Sequence, residues 1–307
     1  GSEMCIRDSP TTETVEMCDD PATVFRRKKD TSMGAALTML RDGEGDAVVS
    51  AGSTGALLTG ATLITKRIHG IRRAAMAPVI PTTTGSAVLI DCGATADCTP
   101  EFLLQFALMG SYYAEKVLGI ENPRVALLNI GAEDSKGGEL QKAVYPLLKQ
   151  AGEAGAINFT GNIEARDVPL GGADVVVADG FSGNILLKGI EATALFMASM
   201  MKDMFKKNVL TKLAALLCMD GVKAFKKKMD YRETGGTALI GLSKPVIKAH
   251  GSSDALAIRN AIRQAIGAVE ADVAATLAAN MDHMVIPKEY QPVSYTHLRA
   301  HETRSNL

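Results

Sequence analysis

The chain has 307 residues, 47% of them hydrophobic and 22% charged, and a formal net charge of -1 at pH 7. That length suits one large domain or two closely joined ones, with a core big enough to need no covalent staples. The near-zero charge excludes whole-molecule attraction to nucleic acid or to an anionic membrane, and an aromatic content of 5% without Trp argues against a base-stacking surface.

The five cysteines, Cys5, Cys18, Cys92, Cys98 and Cys218, form no Cys-x-x-Cys pair and have no histidine cluster beside them. Neither a metal centre nor a disulfide framework is expected, and the usage fits a reducing cytoplasm. No apolar run has the length of a membrane-spanning helix. Residues 1–10 and 291–307 lack an amphipathic period and are expected to stay off the core, together with His297 and His301 at i, i+4. Residues 11–290 are then one α/β domain, with a helical hairpin inserted over 198–230.

In chain order, short runs rich in Val, Ile and Leu each lead through a glycine turn into a helical pattern. Asp46 to Ser50 passes through AGSTG into a helix over Ala56 to Ile68. Ala87 to Asp91 passes through CGATAD into a helix from about Pro100, and Arg124 to Ile130 passes through GAEDSKGG into a helix reaching Gln150. Ala173 to Ala178 passes through DGFSGN into a long helix from about Ile185. The segment 198–230 is dense in lysine with leucines between, and reads as two amphipathic helices broken near Asp220 and Gly221. Thr237 to Leu242 and Val246 to Ala249 read as strands, after which HGSSD opens a last helix to about Asn280, with Ser252 or Ser253 as its cap. Continuous apolar strands alternating with helices predict a mostly parallel sheet covered on both faces, a three-layer α/β/α sandwich. Ligands in such sheets bind beyond the carboxyl ends of the strands, and all the glycine turns are expected to meet at that one edge.

The turns supply the chemistry. Gly52, Ser53, Thr54 and Gly55 place free amides and hydroxyls at a helix start, an arrangement that favours an anion and serves equally as an ordinary cap. His250, Gly251, Ser252 and Ser253 form a second such start, with His250 able to exchange a proton near neutral pH. Lys136 stands on the polar loop Asn129 to Gly138. Asp179 and Asn184 belong to DGFSGN, where Asn184 either caps the helix or donates to a developing oxyanion. Asn162 lies in a further Gly-Asn turn, Gly161 to Asp167. No Ser-His-Asp or Cys-His arrangement is apparent.

These strings, in this order, resemble the bacterial phosphate acyltransferases of phospholipid synthesis. The likeness runs from about Thr11 to about Asn280, through RRKKDTSM (Arg26 to Met33), SAGSTGAL (Ser50 to Leu57), LLQFALMGSYYAE (Leu103 to Glu115), NPRVALLNIG (Asn122 to Gly131), DGFSGN, DYRETGG (Asp230 to Gly236) and VIKAHGSSDA (Val246 to Ala255). It implies an isocitrate/isopropylmalate dehydrogenase-like fold, a homodimer, and no metal or nucleotide cofactor. The implied reaction is attack of inorganic phosphate on the thioester of acyl carrier protein. The acyl phosphate would pass to a membrane-bound acyltransferase acting on glycerol 3-phosphate. By the same resemblance Lys136 orients phosphate or assists the leaving thiolate, Asn184 donates to the carbonyl oxygen, and the Ser53–Thr54 and Ser252–Ser253 turns cradle the anion. Leu210, Leu213, Leu216 and Leu217 at the hairpin tip would touch a membrane reversibly, on an otherwise cytoplasmic protein. A basic patch of Lys66, Arg67, Arg72 and Arg73 would dock the acidic carrier.

The family pattern has Asn where Ser53 stands, an acidic residue where Ala132 stands, and Gly where Ala165 stands. It also opens with a strand and a DAMGGD turn that have no counterpart ahead of Thr11, so the resemblance implies a shortened amino end. An acetyltransferase-like enzyme using acyl-coenzyme A and a non-catalytic membrane scaffold are the rival expectations.

Overall fold

The computed structural model describes residues 9–228 and 230–285. Residues 1–8, Cys5, the segment 291–307 and the His297/His301 pair lie outside them. Two short helices, α1 (Val24–Arg27) and α2 (Ser32–Asp42), precede strand β1 (Val48–Ser50). Thr31 caps α2 by accepting from the Gly34 amide, and Gly43, at φ +80°, closes it in the left-handed region. Helix α3 (Thr54–Gly60) continues as a π turn over Ala61–Thr65, short of the expected end at Ile68.

Strands β2 (Ala75–Thr82) and β3 (Gly85–Ile90) follow, then α4 (Pro100–Lys116), β4 (Arg124–Asn129), α5 (Glu139–Glu153), β5 (Asn158–Glu164) and β6 (Val175–Val177). The second half holds α6 (Gly180–Lys206), α7 (Val209–Leu217), α8 (Met219–Lys228), α9 (Tyr231–Thr234), β7 (Gly236–Ile240), β8 (Val246–Ala249), α10 (Ala255–Glu270) and α11 (Val273–Ala279).

Several boundaries differ from the sequence expectation for local reasons. The hairpin breaks at Asn208 and Cys218 instead of Gly221. Asn208 forms a reciprocal cap with Thr211, whereas Gly221 sits inside α8 with open space around it, a helix position that costs only about 1 kcal/mol. Helix α6 starts at Gly180 because Asp179 caps it. The cap of α10 is Asp254, which accepts from the Ala257 amide, and not Ser252 or Ser253. Gly161 and Asn162 lie inside β5 and not in a turn after it. The expected last helix splits at Ala271 and Asp272, with Asp272 in the left-handed region capping α11.

The eight strands form one sheet in the order β1-β8-β7-β2-β3-β6-β4-β5. The flanks are parallel: β1 with β8 on one side, and β3, β6, β4 and β5 on the other. The centre is antiparallel, through β8/β7, β7/β2 and β2/β3. Three reversals are an odd number, so β1 and β8 point opposite to β3, β6, β4 and β5. The expected single edge is therefore corrected to two groups of turns. Strand β2, which carries Pro78 and Pro81, supplies two of those reversals, and prolines in a strand disguise it in sequence.

The largest apolar cluster packs α4 on the sheet, through Phe106, Leu108 and Met109 against Leu127, Val175 and Ile247. Tyr113 is buried there and its hydroxyl accepts from Gln264 Nε2 at 2.9 Å, which ties α4 to α10. A second cluster seats α2 and α3 over β1 and β8 through Leu37, Leu57, Val48 and Val246.

Candidate active site

Four adjacent parallel strands, β3, β6, β4 and β5, carry the first group of residues on their carboxyl-terminal side. At its centre is Asp91, fully buried, whose carboxylate accepts from the amides of Met76 (2.8 Å), Cys92 (2.7 Å), Ala94 (3.2 Å) and Thr95 (2.7 Å). Burial raises its pKa above the ordinary carboxylate value, and the four amides oppose that shift. Asp91 thereby shapes the loop that the first turn of α6 leans on. A Cβ on Gly180 would sit 2.5 Å from the Thr95 carbonyl, and Gly183 presses even closer to the Asp91 carbonyl, so neither position admits a larger side chain.

That close approach sets Asn184. It lies beside Gly93, where an added Cβ would be 3.9 Å from the Asn184 side chain, and its amide is exposed and makes no hydrogen bond among the described residues. Asp179 is committed to capping, accepting from the Ser182 amide and hydroxyl, both at 2.8 Å. On the next strand Asn129 Nδ2 donates to the Lys136 carbonyl at 3.1 Å, and Asn162 Nδ2 on β5 donates to the Glu133 carbonyl at 2.8 Å. These bonds hold the β4–α5 loop, while the exposed Lys136 ammonium has no ion-pair partner among the described residues. Asn184 and Lys136 are thus presented, unengaged, from neighbouring strands.

The second group follows β1 and β8. Ser53 is buried and caps α3 through the Ala56 amide at 3.5 Å, with Thr54 opening the helix. A Cβ on Gly52 would meet Met33 at 2.6 Å, one on Gly55 would meet Pro21 at 2.8 Å, and one on Gly251 would lie 3.9 Å from the Ala51 carbonyl oxygen. His250 Nδ1 lies 2.7 Å from the Ser252 hydroxyl and 3.2 Å from the Ser252 amide nitrogen, so the ring is held against its own turn. The Ser253 hydroxyl is buried without a hydrogen-bond partner. The α10 start already holds the carboxylate of Asp254, paired to Arg232 Nη1 at 2.8 Å, and Arg232 also grips Asp230 at 2.6 Å. Both acids raise the Arg232 pKa.

Sequence reasoning passed over Asp91, Arg232 and Lys248. Lys248 is buried on β8, in register with Ser50, and its ammonium donates to the Ala249 carbonyl; burial lowers its pKa. A lysine within the apolar string VIKA is the signal that marks it. The thiols of Cys92 and Cys98 are pushed up to about 12, chiefly by burial, so neither is a thiolate nucleophile at neutral pH. Among the described residues no three His, Cys, Asp or Glu side chains cluster as a metal site, and no helix is long and apolar enough to cross a membrane. In the basic patch, Arg72 pairs with Glu101 at 3.0 Å and Arg73 lies 5.4 Å from the Phe102 ring centroid.

A mixed sheet sandwiched by helices, with its polar residues gathered on loops beyond the strands, is a fold shared with phosphotransacylases. The chain superposes on a phosphotransacetylase from Staphylococcus aureus with a TM-score of 0.52 and 18% identity, over 78% of this chain and 67% of that one. It superposes on a branched-chain phosphotransacylase from Enterococcus faecalis V583 with a TM-score of 0.50 and 16% identity, over 82% and 81%. The family model described as fatty acid synthesis protein matches residues 2–276, and the chain belongs to that family. It is 52% identical over 263 residues to a phosphate acyltransferase of Thermoanaerobacterium thermosaccharolyticum, covering 86% of this chain and 78% of that protein. A phosphate acyltransferase of Lysinibacillus sphaericus is 50% identical over 278 residues, 90% of this chain and 83% of that protein.

Proposed function

We propose that this chain is an acyltransferase that moves a fatty acyl group from the thioester of acyl carrier protein to inorganic phosphate, for phospholipid synthesis. A phosphate oxygen attacks the thioester carbon, the carbonyl electrons collect on oxygen, and the C–S bond then breaks to give acyl phosphate and the carrier thiolate, which is protonated to the thiol. Phosphate is itself the nucleophile, so the protein needs mainly to hold it in line and to stabilise the oxyanion. The carrying observation is that an unengaged amide, Asn184, and an unengaged ammonium, Lys136, follow the neighbouring strands β6 and β4 on one side of the sheet, where the Cys92 and Cys98 thiols are pushed up to about 12. In this reading Asn184 donates to the carbonyl oxygen as it becomes negative. Lys136 neutralises the phosphate or the departing thiolate, and the β1 and β8 turns, at the other end of the sheet, take no part in this step.

The same reading takes the chain as a homodimer that visits the membrane through α7, whose leucines stand in water, Leu217 at 84% exposure. It hands acyl phosphate to a membrane-bound enzyme acylating glycerol 3-phosphate, and it meets acyl carrier protein at Lys66, Arg67, Arg72 and Arg73. The deciding assay follows thiol release from acyl carrier protein and coenzyme A thioesters at equal concentration, with and without phosphate. Release is expected to require phosphate and to favour the carrier protein. Phosphate-independent release, or equal use of coenzyme A, would overturn the assignment.

A further inference from the structure

Helix α6 carries two apolar faces. Phe196, Met200 and Met204 stand on one, exposed by 62%, 55% and 55%. Ala194, Ala198, Met201 and Phe205 recur at helical spacing on the other. That second face is the floor of a groove of about 1050 Å³, walled by Val222 and Phe225 of α8 and bordered by His250, Ser252 and Arg232.

We propose that this groove holds the hydrocarbon tail of the acyl substrate; the proposal rests on the acyl-transfer reading above. Its α6 lining runs from Glu191 to Lys206, about 22 Å of helix axis at ~1.5 Å per residue, a span suited to a long fatty chain and not to an acetyl group. The near end lies seven residues beyond Asn184, about 10 Å along the same axis, so a thioester held at Asn184 points its tail into the groove. Polar and charged groups stand at the turn after β8, while along α6 and α8 the apolar Ala194, Ala198, Met201, Phe205, Val222 and Phe225 are edged by Glu191, Ser199, Lys202 and Lys206. A wet apolar trough of this size calls for an occupant. A twin subunit has the opposite face of α6 to bury, through Phe196, Met200 and Met204, which leaves the trough to the ligand. Ala194 and Ala198 set its depth, since any larger side chain there would fill the floor.

The test compares kcat/KM for palmitoyl and hexanoyl thioesters of acyl carrier protein, with phosphate, in the wild type and in Ala198→Phe, Ala194→Leu and Met200→Phe. Ala198→Phe is expected to lower the palmitoyl-to-hexanoyl ratio about ten-fold or more, because methylene discrimination is set by pocket contacts, with hexanoyl transfer nearly unchanged. Ala194→Leu should shift the ratio in the same direction and carries the test if Ala198→Phe does not fold. Met200→Phe, on the other face, should leave it alone. An unchanged ratio in the folded groove variants overturns the proposal, as does a change in the mass of the assembly with the ratio unmoved, which would make the trough a subunit seat. A wild-type protein that releases no thiol from either donor with phosphate would overturn the reaction itself, and is told apart by failing before any variant is made.

Discussion

Asn184 and Lys136 are exposed side chains held by buried neighbours, and that division determines what substitution does to each. The neighbours carry the folding energy: Asp91 is fully buried with four amide donors, and Gly180 and Gly183 lie hard against its loop. Asn184 and Lys136 are exposed, and neither side chain makes a hydrogen bond or ion pair among the described residues. Asn184→Ala and Lys136→Ala should therefore keep the wild-type circular dichroism spectrum and thermal midpoint. Each should lower phosphate-dependent thiol release by ~10²–10³, the usual loss for a donor that acts on a developing oxyanion. Turnover close to wild type in both would remove them from the mechanism. Asp91 is of the opposite kind, a positioning residue whose loss leaves buried amides unpaired.

At the scale of single elements, α7 is the clearest departure from an ordinary surface helix. It has no acidic residue, and Leu210, Leu213, Leu216 and Leu217 are all exposed, on a hairpin that also carries Lys206, Lys207, Lys212 and Lys223. Leucines at a tip with cations around them suit shallow insertion into an anionic bilayer, where each near-surface lysine adds about 1 kcal/mol. The double variant Leu213→Glu, Leu217→Glu should lose co-sedimentation with vesicles rich in anionic lipid while its activity on soluble donors persists. Sedimentation at the wild-type level would remove the membrane role from α7.

Across the whole molecule, one ion pair clamps the starts of β4 and β6 and so aligns the strands of the Asn184–Lys136 rim. Arg124 donates to Asp174 from Nε at 3.0 Å, from Nη2 at 2.9 Å and from its backbone amide at 2.9 Å, while the Asp174 amide returns a bond to the Arg124 carbonyl at 2.9 Å. Burial pushes the Asp174 pKa up, but the Arg124 hydrogen bonds outweigh it and the net shift is downward. A depressed carboxylate contributes stability above its unfolded pKa and loses it as pH falls through the folded one. Asp174→Asn should then cost about 1–2 kcal/mol at pH 7, the low end for a charged hydrogen bond because Arg124 is partly exposed. The gap should close on acidification below the usual carboxylate range. Urea midpoints at pH 7 and pH 3 read this directly, and a gap of equal size at both would show that the clamp's charge does not matter.

What could be read from the residues alone was local. The strands β1, β3, β4, β6, β7 and β8 are legible because a run such as VVV or VIKA is buried on both faces and must be apolar throughout. The glycine turns are legible as helix starts because glycines and small polar residues there cap the helix, with or without an anion. The cap of α10 was misassigned because Ser252, Ser253 and Asp254 are adjacent and all cap well, so only the observed backbone chooses among them. Strand β2 was hidden by its two prolines. The direction of each strand was beyond reach for a deeper reason: pairing joins residues far apart in sequence, such as Ala75 with Ile240, and an antiparallel partner leaves no mark on a buried strand's composition. Tertiary structure alone therefore decided that the turns form two groups, that one long helix runs from Asn184 past His250, and that Asn184 and Lys136 follow the neighbouring strands β6 and β4.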